Sequence, residues 1–183
     1  VLMVVDQFQS NADYHNEKYH ISSTYVKDWG LRSPAHAEYG DKTINPYVAD
    51  EGNGVHLVFE GKADKVIEAG ETRRGAQWEE CKKRAVAVDG VALPKKAYIA
   101  AIAAGQSALS HPTIANWLDT EEVWNEASIY AEHSATGLGI KCKPDKYFPR
   151  TGAILDLKTT VSANPRDFTR SGSQHGYAWQ GAH

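Results

Sequence analysis

An α/β (α+β) fold is predicted by two features of the sequence. Segments with helical spacing, the first of them opened by capping serines, occur along the first two-thirds of the chain, and two segments that alternate apolar and polar residues follow, joined by a Pro/Gly turn. Taken in order, the stretch Ile21 to Trp29 opens with serines able to cap a helix and spaces Tyr25, Val26 and Trp29 on one helical face. Ser33-Pro34 stops or restarts it. Residues 40 to 54, rich in Gly, Asn and Pro, are expected to form a loop. Val55 to Glu60 carries enough apolar residues for a buried helix or strand, and periodicity leaves both open. Residues 94 to 118 are expected to be helical, with a break at His111-Pro112. Leu138 to Phe148 and Ala153 to Thr160 alternate as strands, joined through Pro149-Arg150-Thr151-Gly152. After Asn164-Pro165 a helix is expected at Arg166 to Phe168, restarting at Gln174 after a Ser/Gly loop.

Composition narrows the function classes. The 183 residues hold 20 Lys+Arg and 23 Asp+Glu, a net charge of −3, with 42% hydrophobic residues. These values describe one ordinary domain spanning residues 1–183, with no repeat, linker or low-complexity segment. The sequence begins without Met, as a piece of a longer product would. No apolar run approaches the ~20 residues that cross a bilayer, and the opening lacks the form of a secretory signal. An intracellular, cytoplasmic protein is the expectation. Two cysteines, Cys81 and Cys142, exclude a disulfide framework and a four-cysteine zinc or iron–sulfur site. The acidic balance argues against coating nucleic acid by overall charge, and leaves a local basic groove open.

The hairpin concentrates the chemistry. With the turn centred between Arg150 and Thr151, antiparallel pairing sets Asp145 opposite Asp156 on one face, and Lys158, two residues on, shares that face. Leu155 and Leu157 point to the other layer. Neighbouring carboxylates repel unless a cation sits between them, and a hard ion such as Mg²⁺ resolves the conflict. An exposed salt-bridge ladder is the alternative, since Asp-x-Lys alone is a weak signal.

With Pro144-Asp145 on one strand and Asp156-Leu157-Lys158-Thr159-Thr160 on the next, the chain resembles the PD-(D/E)xK nuclease superfamily, and within it the exodeoxyribonuclease VIII (RecE) type of recombination exonuclease. The resemblance runs through Tyr19-His20-Ile21-Ser22-Ser23 with Leu31 to His36, Gly54 to Glu60, Thr136 to Asp145, Ile154 to Thr160, and Phe168 with Tyr177 to Gln180, in the family's order. It implies a central mixed β-sheet flanked by helices and a helix over residues 55 to 60. It implies metal ligation by His56, Asp145 and Asp156, with Lys158 orienting or deprotonating the attacking water. Gln180 and Tyr177 would position substrate or the lysine. The implied activity is Mg²⁺-dependent 5′ to 3′ digestion of linear double-stranded DNA, leaving 3′ overhangs for a single-strand annealing protein, by a ring-shaped homo-oligomer of phage or prophage origin. Another nuclease of the superfamily, or a silent DNA-binding domain of the same fold, are the alternatives.

The residue types suit this chemistry independently, because phosphodiester hydrolysis uses a metal-activated water, charge stabilisation and a positioned base. A histidine among oxygen ligands admits Mn²⁺ as well as Mg²⁺. Glu60, one turn from His56, and Glu126, among five acids in residues 119 to 132, are candidate outer-sphere groups. Residues 62 to 96 hold nine Lys/Arg against six Asp/Glu, and Arg73, Arg74, Lys82, Lys83 and Arg84 are candidates for DNA-backbone contacts. A solvated helical face is the competing explanation. No histidine pair has zinc spacing.

Overall fold

The computed structural model describes residues 3–40, 45–160 and 162–182. The chain packs as two compact units drawn from interleaved segments: Val1–Lys42, Trp124–Tyr147 and Ala153–His183 form the first, Thr43–Val123 and Phe148–Gly152 the second. One division between the units falls between Tyr147 and Phe148, inside a strand, so no linker composition marks it.

The first unit opens with β1 (Met3–Asp6), α1 (Asn11–Asn16), β2 (Ile21–Ser22), α2 (Ser23–Leu31) and α3 (Pro34–Tyr39). Ser10, Ser22 and Ser33 cap the three helices, each hydroxyl accepting a backbone N–H three residues on, and Pro34 occupies the first turn of α3.

The second unit follows with α4 (Pro46–Phe59), a 3₁₀ turn at Ala63–Lys65, β3 (Val66–Glu68), α5 (Gly75–Ala87), β4 (Val91–Leu93), α6 (Lys95–Leu109) and α7 (Pro112–Thr120). Helix α4 corrects the expected loop at 40 to 54. The Asn45 side chain caps Tyr47 N–H, Pro46 starts the helix, and Gly54 lies inside it where α4 meets its neighbours. A Cβ there would come 2.7 Å from Leu93 Cδ1 and 3.3 Å from Ala101 Cβ, and one at Gly105 would come 2.5 Å from Val58 Cβ. Helix α4 is thus seated against β4 and α6 through glycines. The core comprises Val58, Val66, Val91, Leu93 and Ala101, and a second cluster of Ala69, Trp78, Cys81, Ala85 and Ala92. Trp78, Cys81 and Ala85 line one face of α5 at helical spacing. Strands β3 and β4 are parallel and only three residues long, and β4 is buried at every position, so neither shows the alternation of a half-exposed strand.

The first unit resumes with β5 (Trp124–Asn125), β6 (Ser128–Glu132), β7 (Gly139–Cys142), β8 (Lys146–Phe148, whose last residue counts with the second unit), β9 (Ala153–Leu155), α8 (Pro165–His175) and α9 (Tyr177–Ala182). A four-stranded mixed sheet runs β1-β6-β7-β2, antiparallel except for the parallel β2–β7 pair, with Tyr130 opposite Lys141 and Ile21 opposite Ile140. A three-stranded sheet runs β5-β8-β9, Asn125 facing Lys146. Ala127, Ile129 and Tyr147 are buried among Val5, Trp124 and Cys142.

Three expected boundaries shift. The segment Leu138 to Phe148 is two strands in different sheets, because Pro144 has no N–H to continue the ladder. The second expected strand ends at Leu155, leaving residues 156–160 irregular. Ser171-Gly172-Ser173 lies within α8, and the break falls at Gly176, which adopts φ +67° and caps the helix. The mixed sheet with helices matches the expected α+β class.

Candidate active site

The break in the strand is what builds the site. Pro144 ends β7, and Asp145 precedes β8 with only 5% of its surface exposed. Across the turn, β9 stops at Leu155, so Asp156, Leu157 and Lys158 leave the ladder. The Leu157 N–H donates to the Asp145 carboxylate, which brings that carboxylate to the main chain beside Asp156. Lys158 pairs with Asp156, both side chains about a third exposed or less. The strand bounds lie symmetrically about the Arg150–Thr151 bond, and the Phe148 carbonyl accepts from Thr151 and Gly152 N–H at 3.2 and 2.8 Å.

Further groups of the first unit close around these. Glu126 adopts φ +54°, uncommon for a residue with a Cβ, and its N–H donates to the Asp145 carbonyl at 3.2 Å. The Lys158 ammonium lies 5.5 Å from the Tyr177 ring centre, and Tyr177 in turn packs with Phe168 and His175, each 6.0 Å away. Burial, reinforced by the Asp156 charge, pushes the Cys142 thiol pKa up. A cleft of about 1130 Å³ in the same unit is lined by Tyr14, Glu17, His20, Lys143, Glu126 and Gln180 among others, though not by Asp145, Asp156 or Lys158. The sequence-predicted Gln180 and Glu126 thus face one cavity.

Residues 22–183 match a family described as "PDDEXK-like domain of unknown function (DUF3799)". The chain belongs to this family. Comparisons with curated proteins and with solved structures returned no match. The PDDEXK-like character points to a nuclease-type hydrolase, and PDDEXK nucleases generally use divalent metal ions.

Whether this PDDEXK-like domain suits such an ion rests on its donors. Among the described residues no three His, Cys, Asp or Glu side chains gather as a ligand set. Asp145 and Asp156 offer two hard oxygen donors linked through one dipeptide, which fits an ion of the Mg²⁺ kind. Such an ion keeps several waters and takes one or two carboxylates plus substrate phosphate.

The remaining predicted residues lie in the second unit. His56 is half-buried in α4, its carbonyl accepting from Glu60 N–H at 2.9 Å, and the largely buried Glu60 carboxylate pairs with Lys62 at 2.6 Å. Arg73 is drawn inward: its guanidinium donates to Asp50 at 2.6 Å and to the Tyr47 carbonyl at 3.3 Å, and stacks on Tyr47 and Trp78. Arg74, Lys82, Lys83 and Arg84 are exposed, with Lys82 paired to Glu79 at 2.9 Å.

One group of the PDDEXK-like domain had no sequence signal. Lys141, 6% exposed on β7, donates to the carbonyls of Tyr14 and Glu17 at 2.7 and 2.6 Å and lies 4.7 Å from the Tyr14 ring centre. Its ammonium takes up the carbonyls at the end of α1 and also pairs with the Glu17 carboxylate at 3.3 Å. Burial raises the Glu17 carboxyl, but hydrogen bonds from His20, Tyr19 and Lys141 outweigh it and hold the pKa at about 2. Only the folded chain brings residues 14 to 20 to residue 141.

No helix among the described residues is long and apolar enough to cross a membrane.

Proposed function

We propose that this chain is a Mg²⁺-dependent deoxyribonuclease, for which Mn²⁺ substitutes, and that it acts as a 5′ to 3′ exonuclease on ends of linear double-stranded DNA, leaving 3′ overhangs. The observation that carries the nuclease reading is the convergence of Asp145, Asp156 and Lys158, tied by the Leu157 N–H and the Asp156–Lys158 pair. Polarity and product come from the resemblance of five ordered motifs to RecE-type exonucleases. So do a ring of identical subunits and an annealing protein as partner.

Asp145 and Asp156 would hold the ion, which when bound makes water more acidic and neutralises developing charge. Asp145 is held in place by Leu157 N–H, which donates to one carboxylate oxygen. Lys158 pairs directly with Asp156. Its ammonium, held between that carboxylate and the Tyr177 ring, can orient a water and meet charge that builds on the phosphate. Tyr177 positions the lysine, and Gln180, one turn on and facing the cleft, offers an amide to substrate. In the second unit, exposed Arg74, Lys83 and Arg84 are offered to backbone phosphates, while Arg73 and Lys82 are engaged by acids.

The test is cleavage of 5′-labelled linear duplex and of closed circular DNA with Mg²⁺, Mn²⁺, Ca²⁺ or EDTA, using the wild-type chain, Asp156→Ala and Lys158→Ala. Short labelled products from linear DNA only, requiring Mg²⁺ or Mn²⁺ and absent from both variants, are expected. Cutting of circles would replace the exonuclease by an endonuclease. Inert wild-type protein that still binds DNA would make this a silent binding domain.

A further inference from the structure

We propose that the exposed face of α8 is a contact surface for the phosphate backbone of DNA, engaged by Arg166 and Arg170; this rests on the nuclease reading of the neighbouring carboxylates. The two arginines stand four residues apart on α8 and share its solvent face. They are separated by about 6 Å along the helix axis, comparable with two phosphate steps of ~3.4 Å along one DNA strand.

Among the described residues neither guanidinium makes an ion pair or hydrogen bond. Surface helices usually offset their cations with acids three or four residues away, as Glu79 does for Lys82 on α5. On α8 the acid Asp167 accepts instead from the Ser162 hydroxyl at 2.9 Å. The hydroxyls of Thr169 and Ser173 donate to the carbonyls of Pro165 and Thr169, so the groups beside the arginines are turned to main chain. What the face offers is two planar fork donors suited to phosphate oxygens.

The opposite face fixes the helix to the site. Phe168 and His175 pack on Tyr177, and a Cβ at Gly172 would meet Tyr177 Cδ2 at 3.3 Å. Tyr177 carries the Lys158 ammonium against its ring. The arginines are therefore borne by an element packed against Tyr177, which itself lies against the proposed catalytic lysine. Contacts of this kind would be independent of sequence.

The experiment is equilibrium binding of a dye-labelled linear duplex by anisotropy in Ca²⁺, with the DNA shown intact on a gel, over about 50 to 200 mM KCl. Wild type, Arg166→Ala, Arg170→Ala, the double alanine variant and the double lysine variant are compared, with circular dichroism to confirm folding. Removing each arginine is expected to weaken binding several-fold at low salt and to make the log–log salt slope shallower by about 0.9, the double variant by about twice that, with lysine restoring the slope. A double alanine variant with wild-type affinity and slope, or a wild-type chain that does not bind DNA, overturns the proposal. Cleavage of the same duplex in Mg²⁺ is scored separately: inert wild-type protein with arginine-dependent binding would sink the nuclease reading and leave the α8 surface standing, whereas active protein with unchanged slopes would do the reverse.

Discussion

Replacing Asp145 by Asn removes a charge while keeping an oxygen that can accept the Leu157 N–H. Asp145→Asn is therefore expected to fold normally, as judged by circular dichroism and urea midpoint, yet to lose metal-dependent cleavage by at least about 10²-fold. Lys158→Ala is expected to reduce turnover by about 10²–10⁴-fold, the usual range for a proton-handling side chain. Lys141 makes the contrasting case. It carries a buried charge paired with Glu17, and Lys141→Met leaves that acid without its cation and two carbonyls without their donor, a loss of about 3–5 kcal/mol by urea unfolding. The Glu17 carboxyl sits at about 2 in the fold against an ordinary 4.5. Its contribution is complete above the ordinary value and is lost as pH falls from about 4.5 toward 2. Unfolding measured from pH 6 downward should therefore show a shallower acid limb in Glu17→Gln than in wild type, and an equal slope would remove the assigned role. That Asp145, Asp156 and Lys158 lie near one another was legible at this scale because a tight turn constrains residues close in sequence, although all three fall outside the strands and are tied by the Leu157 N–H and the Asp156–Lys158 pair. Lys141 was not, since nothing local distinguishes a strand lysine that a distant helix end will cover.

At the scale of elements, the capped helices were legible and the short strands were not. Ser22 and Ser33-Pro34 announce α2 and α3 because a hydroxyl and a prolyl ring act within one turn. The stretch at 46–54 reads as loop because Gly and Asn disfavour helix locally, yet Gly54 is the residue that lets α4 close on Leu93 and Ala101. Packing overrode propensity there. Gly105, in the same contact, has Val58 in the way of any side chain, and Gly105→Ala is expected to destabilise the chain by about 1–3 kcal/mol in chemical denaturation despite its higher helix propensity. A neutral or stabilising result would mean that α4 and α6 are less closely seated than described. Strands β3, β4 and β5, two or three residues each, offer too few positions for a period of two to emerge.

For the whole molecule, a net charge of −3 means that DNA binding must come from local cations acting against an overall negative field. An ion held by Asp145 and Asp156 would stabilise the folded chain by mass action. Mg²⁺ at about a hundred times its dissociation constant should add about 2.7 kcal/mol. A rise in melting temperature is thus expected for wild type in Mg²⁺ and should be absent from the Asp145→Asn/Asp156→Ala variant; equal shifts in both would place the ion elsewhere. Sequence alone determined the α+β class and, through ordered motifs, the PDDEXK-like relationship, because these depend on alternation, turn chemistry and short spacings. The tertiary structure alone decided that Pro144 splits one expected strand between two sheets, that Arg73 turns inward while Arg166 and Arg170 stay exposed, and that Lys141 closes the end of α1. Which charge is buried and which meets solvent depends on residues more than twenty or a hundred positions away, and a local pattern carries no record of them.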